Sequence, residues 1–319
     1  MPVVSDPDVP HDEAGPVVAR DADERPVEMH GPGAELERLV RRASPARLAL
    51  RLAVTAVILA GGVGGGWLGH DWWLARKALG VPMAHIPGGT VRVGNSHGPP
   101  EERPEHDVTL RAYDIDVTEV TVGAYAVCVK QLRCTPPLKG DFCNWGKEHL
   151  DDHPINCVAH EQAAAYCDWA GKRLPTEKEW EHAARGDDDR RFPWGNEPPT
   201  AKQANVCGSE CRLYGARRGR VWPAMYESDD GFPLTAPVGS FPAGRSPFGL
   251  QDTEGNVREW TSSPYCPYPA ETCGNEQEYV IRGAGWANHF EMNVEVTTRE
   301  AIGRDEALEA LGFRCARWR

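Results

Sequence analysis

Residues 282–293, which read RGAGWANHFEMN, bring several kinds of reactive side chain into one short stretch. The imidazole of His289 and the thioether of Met292 are metal ligands, and either could bind copper. A lone histidine and a lone methionine in a loop, however, more often pack against the protein or face solvent. The chain has ten cysteines, yet residues 274–314 contain none. The stretch therefore has the composition of a site but lacks thiols.

A tryptophan and a group of charged residues lie within or just after this stretch. Trp286, Glu295, Arg299 and Glu300 are candidates for the lining of a cleft. The alternative is that the three charged residues form surface ion pairs, which contribute little to stability.

The ten cysteines fall after residue 120 and are even in number, as expected for disulfides formed in an oxidising compartment. Zinc binding is the competing interpretation, but the sequence contains no CxxC motif. Close spacing predicts four disulfides and leaves Cys167 and Cys315 over. The four are Cys128–Cys134, Cys143–Cys157, Cys207–Cys211 and Cys266–Cys273.

The formal charge of −12 and the absence of a basic stripe argue against a nucleic-acid partner. Residues 1–40 carry ten acids and three arginines, with few large apolar residues. Such a segment buries too little surface to offset its ordering entropy. Residues 1–47 are therefore predicted to be a disordered acidic tail.

An uncharged stretch of 18 residues, 52–69, follows a group of arginines and precedes Trp72 and Trp73. A helix of roughly 20 apolar residues crosses a bilayer, so residues 48–73 are predicted to form one transmembrane signal anchor. A buried core helix and a cleaved signal peptide are the alternatives. The arginines place the tail in the cytoplasm and the remainder of the chain in the periplasm, at a bacterial inner membrane.

Residues 74–82 are interpreted as a linker, and residues 83–319 as one mixed α+β domain rich in irregular structure. A Gly-Gly turn at Gly88 predicts a hairpin near residues 84–95, and alternation predicts a strand within residues 106–121. Helices are predicted near residues 123–132, 160–171 and 176–185. Thr176 and Glu179 form a capping box in the last of these. No sustained helical period follows Gly186.

These segments together resemble the formylglycine-generating enzyme family, also called sulfatase-modifying factors, from about residue 85 to residue 317. The resemblance implies a compact variant of the C-type lectin fold. The matching segments are IPGGTVRVGN, VTEVTVGAYAVCV, AAAYCDWAGKRLPTEKEWEHAARG, FPWGN, DDGFPLTAPVGSFPAGRSPFGLQDTEGNVREW, IRGAGW and LGFRCAR.

The resemblance implies two calcium sites built from hard oxygen donors. The first would use Asn205, Asp230 and the carbonyls of Val206 and Phe232. The second would use Asp252, Glu259 and the carbonyls of Gly255 and Val257. The resemblance also implies a disulfide between Cys167 and Cys315. Without the resemblance, ordinary Asx turns and a solvated glutamate would explain these oxygen-bearing residues.

In the same family, two cysteines hold copper(I), and the enzyme uses this ion and O2 to oxidise a substrate cysteine to formylglycine. Those positions are Asn288 and Asn293 here. Amides are poor copper(I) ligands, so copper is not expected; His289 and Met292 are the weak substitutes. The sequence thus predicts a membrane-anchored, non-catalytic binding or scaffold module for a protein, peptide or glycan ligand. The alternative is a divergent metal-dependent oxidase acting on a protein or peptide.

Overall fold

The computed structural model describes residues 80–270, 272–274 and 277–319. Within them lie nine strands and four α-helices. The strands are β1 (Met83–Ile86), β2 (Gly89–Val93), β3 (His106–Leu110), β4 (Tyr113–Asp116), β5 (Arg258–Pro264), β6 (Glu278–Arg282), β7 (Arg299–Gly303), β8 (Leu311–Gly312) and β9 (Ala316–Trp318). The helices are α1 (Val122–Lys130), α2 (His160–Trp169), α3 (Glu177–Arg185) and α4 (Ser209–Ala216).

The strands form three small sheets, as expected for an α+β domain with much irregular structure. β1, β4 and β9 make one sheet, β2 pairs with β3, and the largest has the order β7-β6-β5-β8. All pairs are antiparallel except β5 with β8, which run parallel.

The predicted N-terminal hairpin does not form. β1 pairs with β4, and β2 pairs with β3, so the Gly-Gly segment connects two sheets instead of closing one. The single strand predicted for residues 106–121 is likewise divided between β3 and β4. The apolar side chains of Ile86, Tyr113 and Ile115 are fully buried in a shared core. Burial of these distant residues together determines the pairing, which a local turn signal cannot do.

The three predicted helices are present as α1, α2 and α3. The capping box at the start of α3 forms as expected: the Thr176 hydroxyl accepts from the Glu179 amide at 3.2 Å, and the Glu179 carboxylate accepts from the Thr176 amide at 2.8 Å. Trp180, Ala183 and Ala184 are fully buried. The sequence does not predict helix α4. Only two of its eight residues are buried, so it lacks a sustained helical repeat of apolar residues.

The main core lies between α1, α2 and the segment that precedes β9. The Tyr166 ring lies 5.5 Å, centre to centre, from those of Tyr125 and Phe313. The Cys167–Cys315 disulfide fastens α2 to this core. The other disulfides are Cys128–Cys134, Cys143–Cys157, Cys207–Cys211 and Cys266–Cys273, which are the pairs named above.

The predicted tail (1–47) and transmembrane segment (48–73) lie outside the described residues. Within the part that the structure describes, no helix is long and apolar enough to cross a membrane.

Candidate functional site

The two asparagines at the predicted copper positions lie in the loop that follows β6. A tight turn at Gly283 begins this loop, with φ of +73°; a Cβ there would lie 2.3 Å from the Thr253 carbonyl oxygen. The Asn288 side-chain oxygen accepts from the Gly285 amide at 2.8 Å. The side chain of Asn288 therefore closes the turn. This is a structural role at a position where the family resemblance implies a thiolate.

A large polar cleft, which we call the first cavity, lies on one side of this loop. It has a volume of about 840 Å³. Its charged lining contains both signs in nearly equal number, and Met292 and Asn293 belong to its wall. The charged residues are Arg103, Arg185, Arg190, Arg191, Arg299, Glu101, Glu102, Glu105, Asp189, Glu295 and Glu300.

A smaller aromatic cavity, which we call the second cavity, lies on the other side of the loop. It has a volume of about 310 Å³, and Phe142, Trp222 and Trp286 are among its lining residues. His289 also lines it, whereas Met292 lines the first cavity. The two candidate substitute ligands thus contribute to different cavities.

The charged cleft candidates are engaged in ion pairs. Glu295 pairs with Arg191 at 2.8 Å, and Glu300 pairs with Arg258. Arg299 is almost fully buried and pairs with Glu177 at 2.6 Å. All three reach the first cavity's lining, but their partners fix their orientation.

A buried network anchors this cleft to α3. Arg282, at the end of β6, bonds to Glu181 at 2.5 Å and to the carbonyl oxygens of Val296 and Thr298 at 3.3 and 3.1 Å. Glu177 and Glu181 lie one helical turn apart and so point from the same face of α3. Glu177 bonds to Arg299, and Glu181 bonds to Arg282. The network positions residues 296–299 along the wall of the first cavity.

The first predicted calcium set collects additional oxygen donors that the sequence did not identify. Carboxylate oxygens of Glu210, Asp229 and Asp230 lie within 4.8 Å of one another. The Tyr226 hydroxyl lies 2.9 Å from both Asp230 Oδ2 and the carbonyl oxygen of Ala204, next to Asn205. Burial raises the pKa of Asp230 to about 7.

Asn205 supplies an oxygen that no described residue satisfies. It is 1% exposed, its Nδ2 donates to the Leu234 carbonyl at 2.9 Å, and its Oδ1 has no partner among the described residues. Val206 is buried beside it, and Phe232 donates its amide to Asp230 Oδ1 at 2.9 Å. Three clustered acids have the chemistry of a hard-cation site, and the unsatisfied oxygen of Asn205 belongs to the same predicted ligand set.

The second predicted set is arranged differently, because one carboxylate already has strong partners. Glu259 accepts from Arg314 at 2.7 Å through each oxygen, and from Trp180 Nε1 at 2.8 Å. Asp252 accepts from the Gly239 amide at 2.5 Å. Gly255 and Val257 are buried in the turn that leads into β5.

Glu119 completes this second group; it lies in the matching segment VTEVTVGAYAVCV but is not among the predicted calcium ligands. It is fully buried, and neither carboxylate oxygen has a partner among the described residues. Burial and the neighbouring Asp252 carboxylate raise the pKa of Glu119. Three acids, Glu119, Asp252 and Glu259, therefore lie near the positive charge of Arg314. A bound proton or a cation would balance the excess negative charge.

Residues 76–319 match the family described as the sulfatase-modifying factor enzyme 1-like domain. The chain belongs to this family. The match begins seven residues before the predicted boundary at residue 83. It includes both cavities and both oxygen-rich groups.

The relatives that the chain matches include proteins named as inactive and proteins named as enzymes. The chain is 30% identical to "Inactive C-alpha-formylglycine-generating enzyme 2" of Mus musculus, covering 73% of this chain and 85% of that protein. It is 32% identical to "Formylglycine-generating enzyme" of Mycobacterium tuberculosis, covering 73% and 96%. Among solved structures, PvdO from Pseudomonas aeruginosa has a TM-score of 0.57 at 25% identity, covering 74% and 94%.

Proposed function

We propose that this protein is a non-catalytic binding or scaffold module of the sulfatase-modifying factor family. The proposal rests on the pair Asn288 and Asn293, which stand where the family resemblance implies the copper thiolates. Asn288 uses its side-chain oxygen to close the turn at Gly285. Amide groups cannot form the thiolate complex that copper(I) requires. The polar first cavity remains beside this loop and would receive a polypeptide or glycan ligand.

The names of relatives do not decide between activity and inactivity, because proteins of both kinds match to a similar degree. A divergent metal-dependent oxidase is the competing function. His289 and Met292 would be its soft ligands, but they line different cavities. Their separation favours the binding module.

The proposal also places the domain outside the cytoplasm, attached to a membrane by residues 48–73. Support comes from the uncharged stretch with arginines before it, and from five disulfides in the described domain. Reporter fusions at each terminus test this topology. A reporter active only in the periplasm should function at the C-terminus and fail at the N-terminus.

We further propose that calcium is the resident ion, with Asn205, Asp230 and Glu210 as its principal protein ligands. Asp229 is close enough to contribute, and backbone carbonyls would complete the coordination. Calcium would supply positive charge to a group of acids that burial disfavours.

The proposed lack of oxidase activity is tested with the full-length protein in detergent. The protein is incubated with copper(I), oxygen and a peptide containing Cys-x-Pro-x-Arg, and the peptide is analysed by mass spectrometry. We expect no loss of mass at the peptide cysteine. Conversion of that cysteine by the unmodified protein would overturn the proposal.

The double variant Asn288→Cys plus Asn293→Cys is the matched comparison. Stoichiometric copper(I) binding by this variant, and none by the unmodified protein, would show that the lost ligands account for the difference. Stoichiometric copper or iron in the unmodified protein, lost on His289→Ala, would instead support the oxidase.

A further inference from the structure

The segment between Asn205 and Asp230 contains arginines that lack acidic partners among the described residues. Arg217, Arg218 and Arg220 follow α4, are exposed, and form no ion pair with any described residue. The Arg218 guanidinium carbon lies 3.6 Å from the centre of the Tyr214 ring, and that of Arg220 lies 5.1 Å from the centre of the Phe142 ring. In a chain of net charge −12, this is a local region of positive charge.

Arg220 lines the second cavity, whose floor is aromatic, and Arg218 lies on the Tyr214 ring, which stacks on Trp222 at 6.2 Å between ring centres. The ring centres of Phe142, Trp222 and Trp286 are 5.5 to 5.9 Å apart, with tilted or edge-on contacts. The Cys207–Cys211 disulfide forms another part of the wall. Rings and a disulfide give an apolar surface large enough for one ring-bearing side chain.

The aromatic floor is held in place by α4. A Cβ at Gly215 would lie 2.8 Å from Cδ2 of Trp222, so the indole rests directly on the backbone of the helix. The disulfide fixes the first turn of the same helix to Cys207, whose amide donates to the Asn288 carbonyl at 2.9 Å. The cavity is therefore preorganised, which lowers the entropic cost of filling it.

The charged groups around the cavity favour an anion. Arg220 lines it directly, with His289 and one acid, Glu309, at its edge. A guanidinium stacked on a ring keeps its N–H groups in the plane and free for a carboxylate. Arg220 thus offers such a group in the lining of the cavity, and Arg218 offers another on Tyr214, the neighbour of Trp222.

We propose that the second cavity binds an acidic polypeptide segment with an aromatic side chain. The aromatic side chain enters the cavity against Trp222 and Trp286, and neighbouring Asp or Glu carboxylates pair with Arg218 and Arg220. The site is separate from the first cavity, so it does not depend on the proposed function of that cleft.

A membrane surface is the competing partner for arginines near exposed apolar residues such as Val221, which is 95% exposed. The shape of the site favours a peptide instead. Trp286 is only 4% exposed and lies at the bottom of a concave cavity, where a flat lipid surface cannot reach it. A single protruding side chain can.

The test uses fluorescence polarisation with the full-length protein in detergent. The probe is a fluorescein-labelled peptide, Asp-Glu-Trp-Glu-Asp. One comparison peptide replaces Trp with Ala, and a second replaces every acid with Lys. We expect saturable binding of the first peptide, at least about tenfold weaker binding of the other two, and weakening by salt.

Variants of the protein locate the binding. Trp222→Ala and the double variant Arg218→Glu plus Arg220→Glu should each weaken binding of the acidic aromatic peptide about tenfold or more. Arg212→Gln is the control, because Arg212 lies in the preceding helix α4 but pairs with Glu227 at 2.7 Å. It should bind as the unmodified protein does. Because Trp222→Ala could loosen α4, the arginine double variant provides an independent test.

Three results would overturn the proposal. The first is equal binding of the Ala-containing peptide, and the second is unchanged binding by the arginine double variant. The third result combines two findings. The protein, held in nanodiscs of neutral lipid, sediments with phosphatidylglycerol vesicles only when Arg218 and Arg220 are present, and it fails to bind the peptide. That third result would assign the patch to a lipid surface.

Discussion

The guanidinium of Arg314 meets the carboxylate of Glu259 through two parallel hydrogen bonds, each 2.7 Å long. Both side chains are fully buried. The pair joins the segment before β9 to β5, and Arg314 also donates to the carbonyl oxygens of Asp116 and Gln251 at 3.0 and 2.8 Å. The C-terminal segment is thereby fixed against two distant parts of the chain.

Removing either partner should destabilise the fold, and Arg314→Met more than Glu259→Gln. Losing one member of a buried ion pair costs about 3–5 kcal/mol, because the other charge remains without compensation. Glu259→Gln leaves Arg314 near Glu119 and Asp252, whose charges still offset it. Arg314→Met leaves three acids with no cation. Urea unfolding of both variants checks the order, and a smaller loss for Arg314→Met would contradict it.

The Cys167–Cys315 disulfide should contribute more stability than Cys128–Cys134. The first closes a loop with a sequence separation of 148, and the second a separation of 6. Loop-closure entropy values these at about 5 and about 2 kcal/mol respectively, as upper figures. Replacing both cysteines of each pair by alanine and measuring urea unfolding gives the comparison. Equal losses would show that loop-closure entropy does not determine how much each disulfide contributes to stability.

The local parts of the fold could be predicted from the sequence, and the long-range parts could not. Helix α3 carries its own start signal in Thr176 and Glu179, and its buried face in Trp180. The pairing of β1 with β4 depends on burying Ile86 with Tyr113, which no adjacent residue specifies.

The same distinction applies to the site. Asn288 and Asn293 could be proposed from the family motifs, because those positions are defined by neighbours in the sequence. Glu119 reaches the Asp252 group only through folding, and Glu210 lies outside the segments that match the family. The second cavity was missed for a related reason: Phe142, Trp222 and Trp286 come from separate segments.

His160 should make the fold less stable in mild acid. Its ring stacks on Tyr279 at 3.7 Å between ring centres, and its Nε2 lies 3.0 Å from the Thr261 carbonyl oxygen. Burial lowers the pKa of His160, and the hydrogen bond to Thr261 partly offsets this lowering. As the pH falls below the unfolded value of about 6.5, the unfolded chain takes up the proton first. Stability is therefore complete above that pH and declines below it.

Urea unfolding between pH 7.5 and 5 measures this decline. His160→Gln keeps a donor for Thr261 but does not titrate, so the slope of unfolding free energy against pH should fall by at most about 1.4 kcal/mol per pH unit. An unchanged slope in this variant would assign the acid sensitivity to other buried groups, such as His153 and His182, whose pKa values burial also lowers.

Calcium should stabilise the protein through the group that contains Asp230. A ligand present at 100 times its dissociation constant adds about 2.7 kcal/mol to the free energy of unfolding, so addition of calcium should raise the Tm and a chelator should lower it. Asp230→Asn and Glu210→Gln should each weaken calcium binding, as measured by isothermal titration calorimetry. Asp252→Asn is the informative comparison, since Glu259 in its group already pairs with Arg314. Calcium binding that survives Asp230→Asn but is lost on Asp252→Asn would move the ion to the second group, where Glu119 would be the ligand that the sequence did not reveal.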